Sequence, residues 1–557
     1  MNKNDDLVFA ALGGAGEIGM NMYLYGHGKG AKRRWIMVDC GVGFGDMETS
    51  PGIDLVMADP TFIAAQADKL DGIFITHAHE DHIGGLGHLH PRLKAKIYAQ
   101  PFTAAHITRK MEENGLSPKA VRVVEKGEVI TAGPFKVRFQ PITHSIPEAA
   151  ALVIDTPSGR ILHTGDFKVD AEPQMGEGFD FEAFRKIGEE GVHCLVCDST
   201  NVMVEGRGFS ERDVLDPLAE IIRNAKGAVA ATTFASNVAR VRGLALMGRQ
   251  CGRQIVLVGR AMKRMVEVSQ QLGLLTDFPS LTSEDDAETL PAEKVFYIVT
   301  GSQGESRAAL ARIATGSHPT VELKDGDTVI FSSKTIPGNE EGVYRLYNQL
   351  SERGVTVFDE DNGGRIHVSG HARRGDIEAM YDLVKPKISI PMHGEHRHLA
   401  SHKVLAESLG VPSVVAANGA IALISGDRPV IIDHAEVGRL FLDGHTLVGA
   451  NDGVVRDRLK LARNGLVIAS IVVDVAGVLV ADPEVKILGG PAEHAGWPEP
   501  LEDLIWDAID QDIEKANRKQ RTDDGLEGVA MRAIRRVCRR WWGKKPHVEV
   551  LVTRLED

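Results

Sequence analysis

The segment Thr76-His77-Ala78-His79-Glu80-Asp81-His82 sets three imidazoles and two carboxylates within seven residues, directly behind the apolar run Leu70 to Ile75. A strand that delivers so many nitrogen and oxygen donors into one turn is best explained as half of a two-metal hydrolytic centre. His77 and His79 can converge on one ion, while Asp81 and His82, a turn further on, serve a second a few ångströms away. Gly84 and Gly85 would let the backbone bend tightly beside the ions.

The same context, a β-rich run with a polar residue at its tip, recurs along the chain. Val137 to Thr143 ends at His144, Arg160 to Gly165 at Asp166, and Ile388 to Met392 at His393. Taken together they form a set. His77, His79 and His144 suit one ion, Asp81, His82 and His393 the other, and Asp166 is a carboxylate able to bridge both. Asp39, behind Trp35-Ile36-Met37-Val38, is expected to hold a ligand imidazole or a water in place. The mix of imidazole and carboxylate suits two zinc ions per subunit, with manganese or magnesium as an activating ion.

These strings resemble the metallo-β-lactamase superfamily and, within its beta-CASP branch, the ribonuclease J family. Asp39, THAHEDHIGG, His144 and Asp166 resemble the superfamily's first four motifs. Asp198 in CDSTN, His371 in HVSGHA and His393 in MHGE are similar to the beta-CASP motifs A, B and C. TGSQGE (Thr300 to Glu305) and SSKTIPGNE (Ser332 to Glu340) resemble ribonuclease J in particular. One departure is the loop after motif A, Asn201 to Ser210, where the family often continues with Ala and a longer polar stretch. The resemblance implies an α/β chain: a metallo-β-lactamase αββα sandwich with an inserted α/β beta-CASP domain and a small α/β C-terminal domain. It implies removal of nucleotides from RNA 5′ ends, with a monophosphate preferred, internal cleavage, and roles in RNA decay and ribosomal RNA maturation. Single-stranded RNA would be the substrate, homodimers or homotetramers the assembly, and RNA-decay proteins the partners. Asp81 would orient the attacking water, and His371, with His367, would donate to a phosphoryl oxygen or to the leaving group.

Length and composition agree with this picture. A chain of 557 residues is too long for one core. A formal charge of −13 argues against a protein that coats nucleic acid nonspecifically. It leaves room for a nuclease whose positive potential is confined to a cleft and supplied by ions. Five cysteines, odd in number and mostly in apolar runs, point to a reducing cytoplasm. Cys194 and Cys197, three apart in a strand, face opposite sides and do not make a zinc knuckle. The chain shows no apolar membrane span, and the N-terminus Met1 to Asp6 lacks a signal-peptide core, so a soluble cytoplasmic protein with no membrane partner is expected.

Gly14-Ala15-Gly16-Glu17-Ile18-Gly19 mimics a dinucleotide fingerprint, but short β-type runs follow where that motif needs a helix. No nucleotide cofactor is expected. The metallo-β-lactamase part is read over 1–210. From 211 the rhythm becomes βα alternation, as in a parallel-sheet domain, through 365. The hydrolase part resumes at 366–450, since His371 and His393 complete its site, and 451–557 forms a linker and small C-terminal domain. Ser302, Gln303, Gly304 and Glu305, between a strand and a helix expected near Arg307, read as a phosphate cradle, with Lys334, His367 and His371 nearby. In the last helix, Val529 to Trp542, Arg532, Arg535, Arg536, Arg539 and Arg540 surround an apolar face; they read as a solvated face or as an RNA or subunit contact. A metallo-hydrolase of a small ester or lactam would need no inserted wall. A non-catalytic RNA-processing scaffold would need no intact donor set.

Overall fold

The structure, a computed structural model, describes residues 5–336 and 338–555. Residues 1–4 of the N-terminal stretch and Pro337 of SSKTIPGNE lie outside them.

Two sheets carry the hydrolase. The first runs in the order Val430–His434, Ala420–Leu423, Leu7–Gly13, Met22–His27, Arg34–Val38, Leu70–Phe74, Ile97–Ala99, Val121–Val123. The second runs Val129–Ala132, Phe135–Pro141, Ala150–Thr156, Gly159–His163, Cys194–Asp198, Ile388–Met392. Phe9, Tyr25 and Phe74 from one sheet share a buried cluster with Phe135, Leu152 and Val196 from the other. This is the face-to-face packing of the expected αββα sandwich. Its outer helices include Pro101–Glu113, His396–Ser408, and the mutually packed pair Phe181–Glu189 and Arg374–Val384.

The insertion is visible in one register. Asp198 pairs with Met392 in parallel, so the chain leaves the sheet at residue 198 and returns beside it at 388. Between them lies a five-stranded, wholly parallel sheet, ordered Gln254–Val258, Val295–Val299, Val229–Thr232, Thr328–Phe331, Thr356–Phe358. It has a core of its own around Val256, Leu310 and Phe331. After Gly14 the chain forms the short strand Ala15–Gly16 and then Met22–His27, with no helix, as the reading against a dinucleotide site requires.

The chain divides into two compact units, Met1–Gly43 with Met57–Arg439, and Phe44–Val56 with Leu440–Asp557. The sequence division was drawn at 450. The difference arises because Arg439–Asp443 and Thr446–Gly449 pair in a sheet with Leu55–Ala58 and Val42–Phe44. The second unit also holds the sheet Glu484–Leu488, Leu466–Val473, His547–Arg554, backed by the helices Leu501–Glu514 and Asp523–Val537. The stretch 477–480 makes only the isolated bridge Val473–Leu479, and Glu484–Leu488 takes the place beside Leu466–Val473. All five cysteines are free, with Cys194 and Cys197 buried. Among the described residues no helix is long and apolar enough to cross a membrane.

Phe135 is fully buried where the two sheets meet. Phe135→Ala is expected to destabilise the fold by about 3–5 kcal/mol, read as a lower urea midpoint. A shift below about 1 kcal/mol would contradict that central position.

Candidate metal centre

Six donor-bearing residues sit at or just past the carboxyl ends of strands. Asp39 follows Arg34–Val38, His77 follows Leu70–Phe74, His144 follows Phe135–Pro141, Asp166 follows Gly159–His163, Asp198 closes Cys194–Asp198, and His393 follows Ile388–Met392. The short helix Glu80–Ile83, entered from His79, turns Asp81 and His82 back toward the same point. Asp39 and His393 hold left-handed backbone, with φ of 62° and 52°. That conformation costs on the order of 1–3 kcal/mol for a residue with a side chain and persists only where the surroundings enforce it.

Two donor sets result. His77, His79, His144 and Asp166 offer ligand atoms within 4.8 Å of one another, and so do Asp81, His82, Asp166 and His393. The first set is drawn tight, with His79 Nδ1 3.1 Å from both His77 Nε2 and His144 Nε2. His144 donates from Nδ1 to the Gly370 carbonyl at 2.7 Å, and His82 donates from Nδ1 to Asp39 Oδ2 at 2.7 Å. Each therefore aims its Nε2 at the cluster. Asp166 Oδ2 stands 3.1 Å from His82 Nε2, 3.6 Å from His393 Nε2, 3.7 Å from His77 Nε2 and 3.8 Å from His144 Nε2. Its Oδ1 is buried with no hydrogen-bond partner among the described residues.

Charge sharpens the geometry. Burial holds the His77 and His144 imidazoles well below the ordinary histidine value, and lowers His79 to about 4. Burial opposes ionisation of Asp166, yet His393, His82 and His371 outweigh it and keep the carboxyl well below its usual range. His82 and His393 go the other way. Burial pulls both down, but Asp166 leads the neighbouring carboxylates in carrying His82 well up and His393 up to about 9. Neutral imidazoles, ionised carboxylates and a demand for positive charge in one buried volume are what a divalent cation satisfies in place of protons. The donor set fits metal ions.

The other candidates divide. Asp198 Oδ2 accepts from His371 Nδ1 at 2.9 Å, and His371 is raised because Asp198 and Asp166 overcome the effect of burial. His367 stands apart, its Nδ1 3.4 Å from the Arg240 guanidinium; burial first, and that cation second, keep it well below the usual value.

Residues 16–193 match the Metallo-beta-lactamase superfamily, 226–350 the Ribonuclease J beta-CASP domain, 365–416 the Zn-dependent metallo-hydrolase RNA specificity domain, and 453–555 the Ribonuclease J C-terminal domain. The Ribonuclease J of Sinorhizobium meliloti is 44% identical over 559 residues, covering 100% of this chain and 98% of that protein. The chain belongs to the ribonuclease J family. The Ribonuclease J of Mycolicibacterium smegmatis is 36% identical, over 96% of this chain and 94% of its own. That of Corynebacterium glutamicum is 38% identical, over 86% and 67%.

In this ribonuclease J chain the Ser302–Glu305 turn differs from the expected cradle. The helix begins at Ala309. The Gln303 N–H donates to Glu305 Oε2 at 2.9 Å, and the Gly304 N–H is spent on the Gly301 carbonyl. The Gln303 amide binds the Lys334 carbonyl and the Ile336 N–H, tying the turn to the next loop. A carboxylate of the chain thus takes an N–H that an anion would need. Lys334 is exposed.

Gly84 and Gly85 also serve differently, since both hold helical backbone. A Cβ on Gly84 would meet Val42 Cγ2 at 2.5 Å, so the need is close packing. Three supports escaped the sequence reading. Asn21 Nδ2 donates to the Asp81 carbonyl at 3.0 Å, Thr76 Oγ1 joins Asp39 to His77 Nδ1, and Thr200 Oγ1 meets His393 Nδ1 at 2.7 Å. Adjacency to His77 and to Asp198 was the available signal for the two threonines; Asn21 had none.

A Cβ on Gly41 would lie 1.6 Å from the Asp81 carbonyl oxygen. Gly41→Ala must displace the turn that carries Asp81 and His82. It is expected to weaken divalent-metal affinity by on the order of 10- to 100-fold, measured by chelator competition. An unchanged affinity would show that the turn does not hold the donors.

Proposed function

We propose that the chain hydrolyses the phosphodiester bonds of single-stranded RNA. It removes nucleotides from the 5′ end with a preference for a monophosphate, cleaves internally as a second activity, and acts in RNA decay and ribosomal RNA maturation in the cytoplasm. The observation that carries this reading is the pair of donor sets meeting at Asp166, with the HVSGHA segment beside them, in a chain of the ribonuclease J family. His77, His79 and His144 would hold one ion and Asp81, His82 and His393 the other, with Asp166 common to both donor sets. Zinc suits these donors, two per subunit, with manganese or magnesium as an activating ion. Bound there, the ions supply Lewis-acid stabilisation of a charged phosphoryl group and make a water more acidic. In the same reading the protein works as a homodimer or homotetramer alongside other RNA-decay proteins.

The chain's own residues divide the remaining work by exposure. The His77, His82, His144, Asp166 and His393 side chains are 0–2% exposed, whereas Asp81 is 30% and His371 23% exposed. The buried groups can only hold; Asp81, itself one of the donors, and His371 can also touch water and substrate. Asp81 orients the attacking water through its carboxylate. His371 donates a proton from Nε2 to the leaving 3′ oxygen, where negative charge grows as the bond breaks. Asp198 accepts from its Nδ1, so the ring is oriented and its protonated form favoured. His367, whose Nδ1 accepts from Arg240, keeps Nε2–H for a phosphate oxygen.

Incubation of the purified chain with 5′-labelled, 5′-monophosphorylated RNA tests the reading. Labelled mononucleotide indicates terminal attack, discrete fragments indicate internal cleavage, and intact RNA would sink the proposal. Asp81→Ala is expected to abolish both products. His371→Ala is expected to keep its metal yet lose roughly 10²- to 10⁴-fold in rate, the usual worth of a general acid. Parallel loss of metal and rate would place His371 among the ligands instead.

A further inference from the structure

Arg240, which also reaches His367 Nδ1 at 3.4 Å, and Glu211 form a buried ion pair whose further contacts the chemistry described above does not use. Their side chains are 1% and 2% exposed. Arg240 donates from Nε and Nη2 to Glu211 Oε2 at 3.0 and 2.9 Å. Its remaining nitrogen, Nη1, donates to Ser332 Oγ at 2.7 Å and to the Ile366 carbonyl at 3.3 Å. Ser332 Oγ donates to that same carbonyl at 2.7 Å. One backbone oxygen thus receives two donors from the inserted domain.

That oxygen opens the segment 366–370, which belongs to no helix or strand and so has no ladder of its own to fix it. At the segment's far end the Gly370 carbonyl accepts from His144, and Ser369 Oγ accepts from Asn201 at 2.8 Å. The other side of the ion pair is rooted in the hydrolase. The Glu211 N–H donates to Asp170 Oδ2 at 3.0 Å, Lys168 Nζ lies 2.8 Å from the same oxygen, and the Lys168 N–H donates to the carbonyl of Thr143, the residue before His144. A chain of buried contacts therefore leaves the donor cluster beside His144, crosses into the insert, and returns to the segment carrying His371. Replacing a buried ion pair with apolar side chains is commonly neutral or stabilising, so stability alone does not account for this one.

We infer that Arg240 and Glu211 are positioning residues for hydrolysis: through Ser332 and the Ile366 carbonyl they set the segment 366–371, and with it the His371 imidazole, against the donor cluster. The inference rests on the ribonuclease reading, which the same experiment tests separately. The full-length chain, the double variant Glu211→Leu/Arg240→Met and the single variant Ser332→Ala are compared for melting temperature, bound divalent metal, and kcat and KM on 5′-monophosphorylated single-stranded RNA. The double variant is expected to melt within a few degrees of the parent. Its kcat should fall roughly 10- to 100-fold while KM and metal content stay within about two-fold, as a displaced catalytic group dictates. Ser332→Ala should lower kcat several-fold, and Arg240→Lys, too short a fork to span Glu211 and Ile366 together, should stay impaired. Parental kcat in a folded double variant overturns the inference. So does a fall in kcat matched by loss of metal, since the pair would then support the ligands. Should the double variant fail to fold, an unchanged kcat in Ser332→Ala overturns it alone. A parent chain that leaves the RNA intact overturns the ribonuclease reading instead.

Discussion

The Asp166 carboxylate is the point on which the site turns. It is almost fully buried, ionised against the pull of burial, and faced by four imidazole nitrogens within 3.1–3.8 Å. Two of those rings are pushed toward the neutral form and two toward the cationic form by the same few side chains. The first set brings three ring nitrogens together, and Asp166 Oδ1 has no hydrogen-bond partner among the described residues, so protons alone serve the cluster poorly. Burying such a group costs free energy, part of which a divalent cation held there would offset.

Strand ends solve the placement. Donors that stand just past strands running in the same direction arrive at one level of the sandwich, and the six-stranded sheet supplies His144, Asp166, Asp198 and His393 from four of its strands. The pairing of Cys194–Asp198 with Ile388–Met392 keeps Asp198 and His393 close however much chain lies between them. An inserted domain with its own core can therefore grow from this edge without moving a ligand. Left-handed backbone at Asp39 and His393 is the local cost of turning a side chain inward at once after a strand.

These features set what the sequence could disclose. That His77, His144, Asp166 and His393 would come together was legible because each stands just past an apolar run, and the spacing of His79, Asp81 and His82 behind His77 brought them into the same cluster. The inserted parallel sheet followed from the change of rhythm near 211, whereas the αββα sandwich was what the family resemblance implied. Side-chain competition was not legible: Glu305 occupies the Gln303 N–H, a contact that spacing cannot foretell. Nor was Arg240, which reads as one more polar position on the helix Val238–Gln250 and is in fact buried against Glu211. The pairing of Leu55–Ala58 with the hairpin 439–449 likewise joins segments nearly four hundred residues apart with no mark in either.

The acidic balance of the chain bears on how a polyanion is received. With a net charge of −13, long-range attraction to RNA is weak, and contact must come from cations gathered locally. The stretch Arg365-Ile366-His367-Val368-Ser369-Gly370-His371-Ala372-Arg373-Arg374 gathers them around the segment that faces the donors. Arg365 and Arg373 lie 3.5 and 4.9 Å from the centre of the Phe209 ring, so the departing loop after Asp198 holds two guanidinium groups in place through its aromatic face. The loop that differs from the family's usual sequence thus leaves the donor sets intact and contributes at the rim. Positive charge is thereby gathered beside the segment that carries His371.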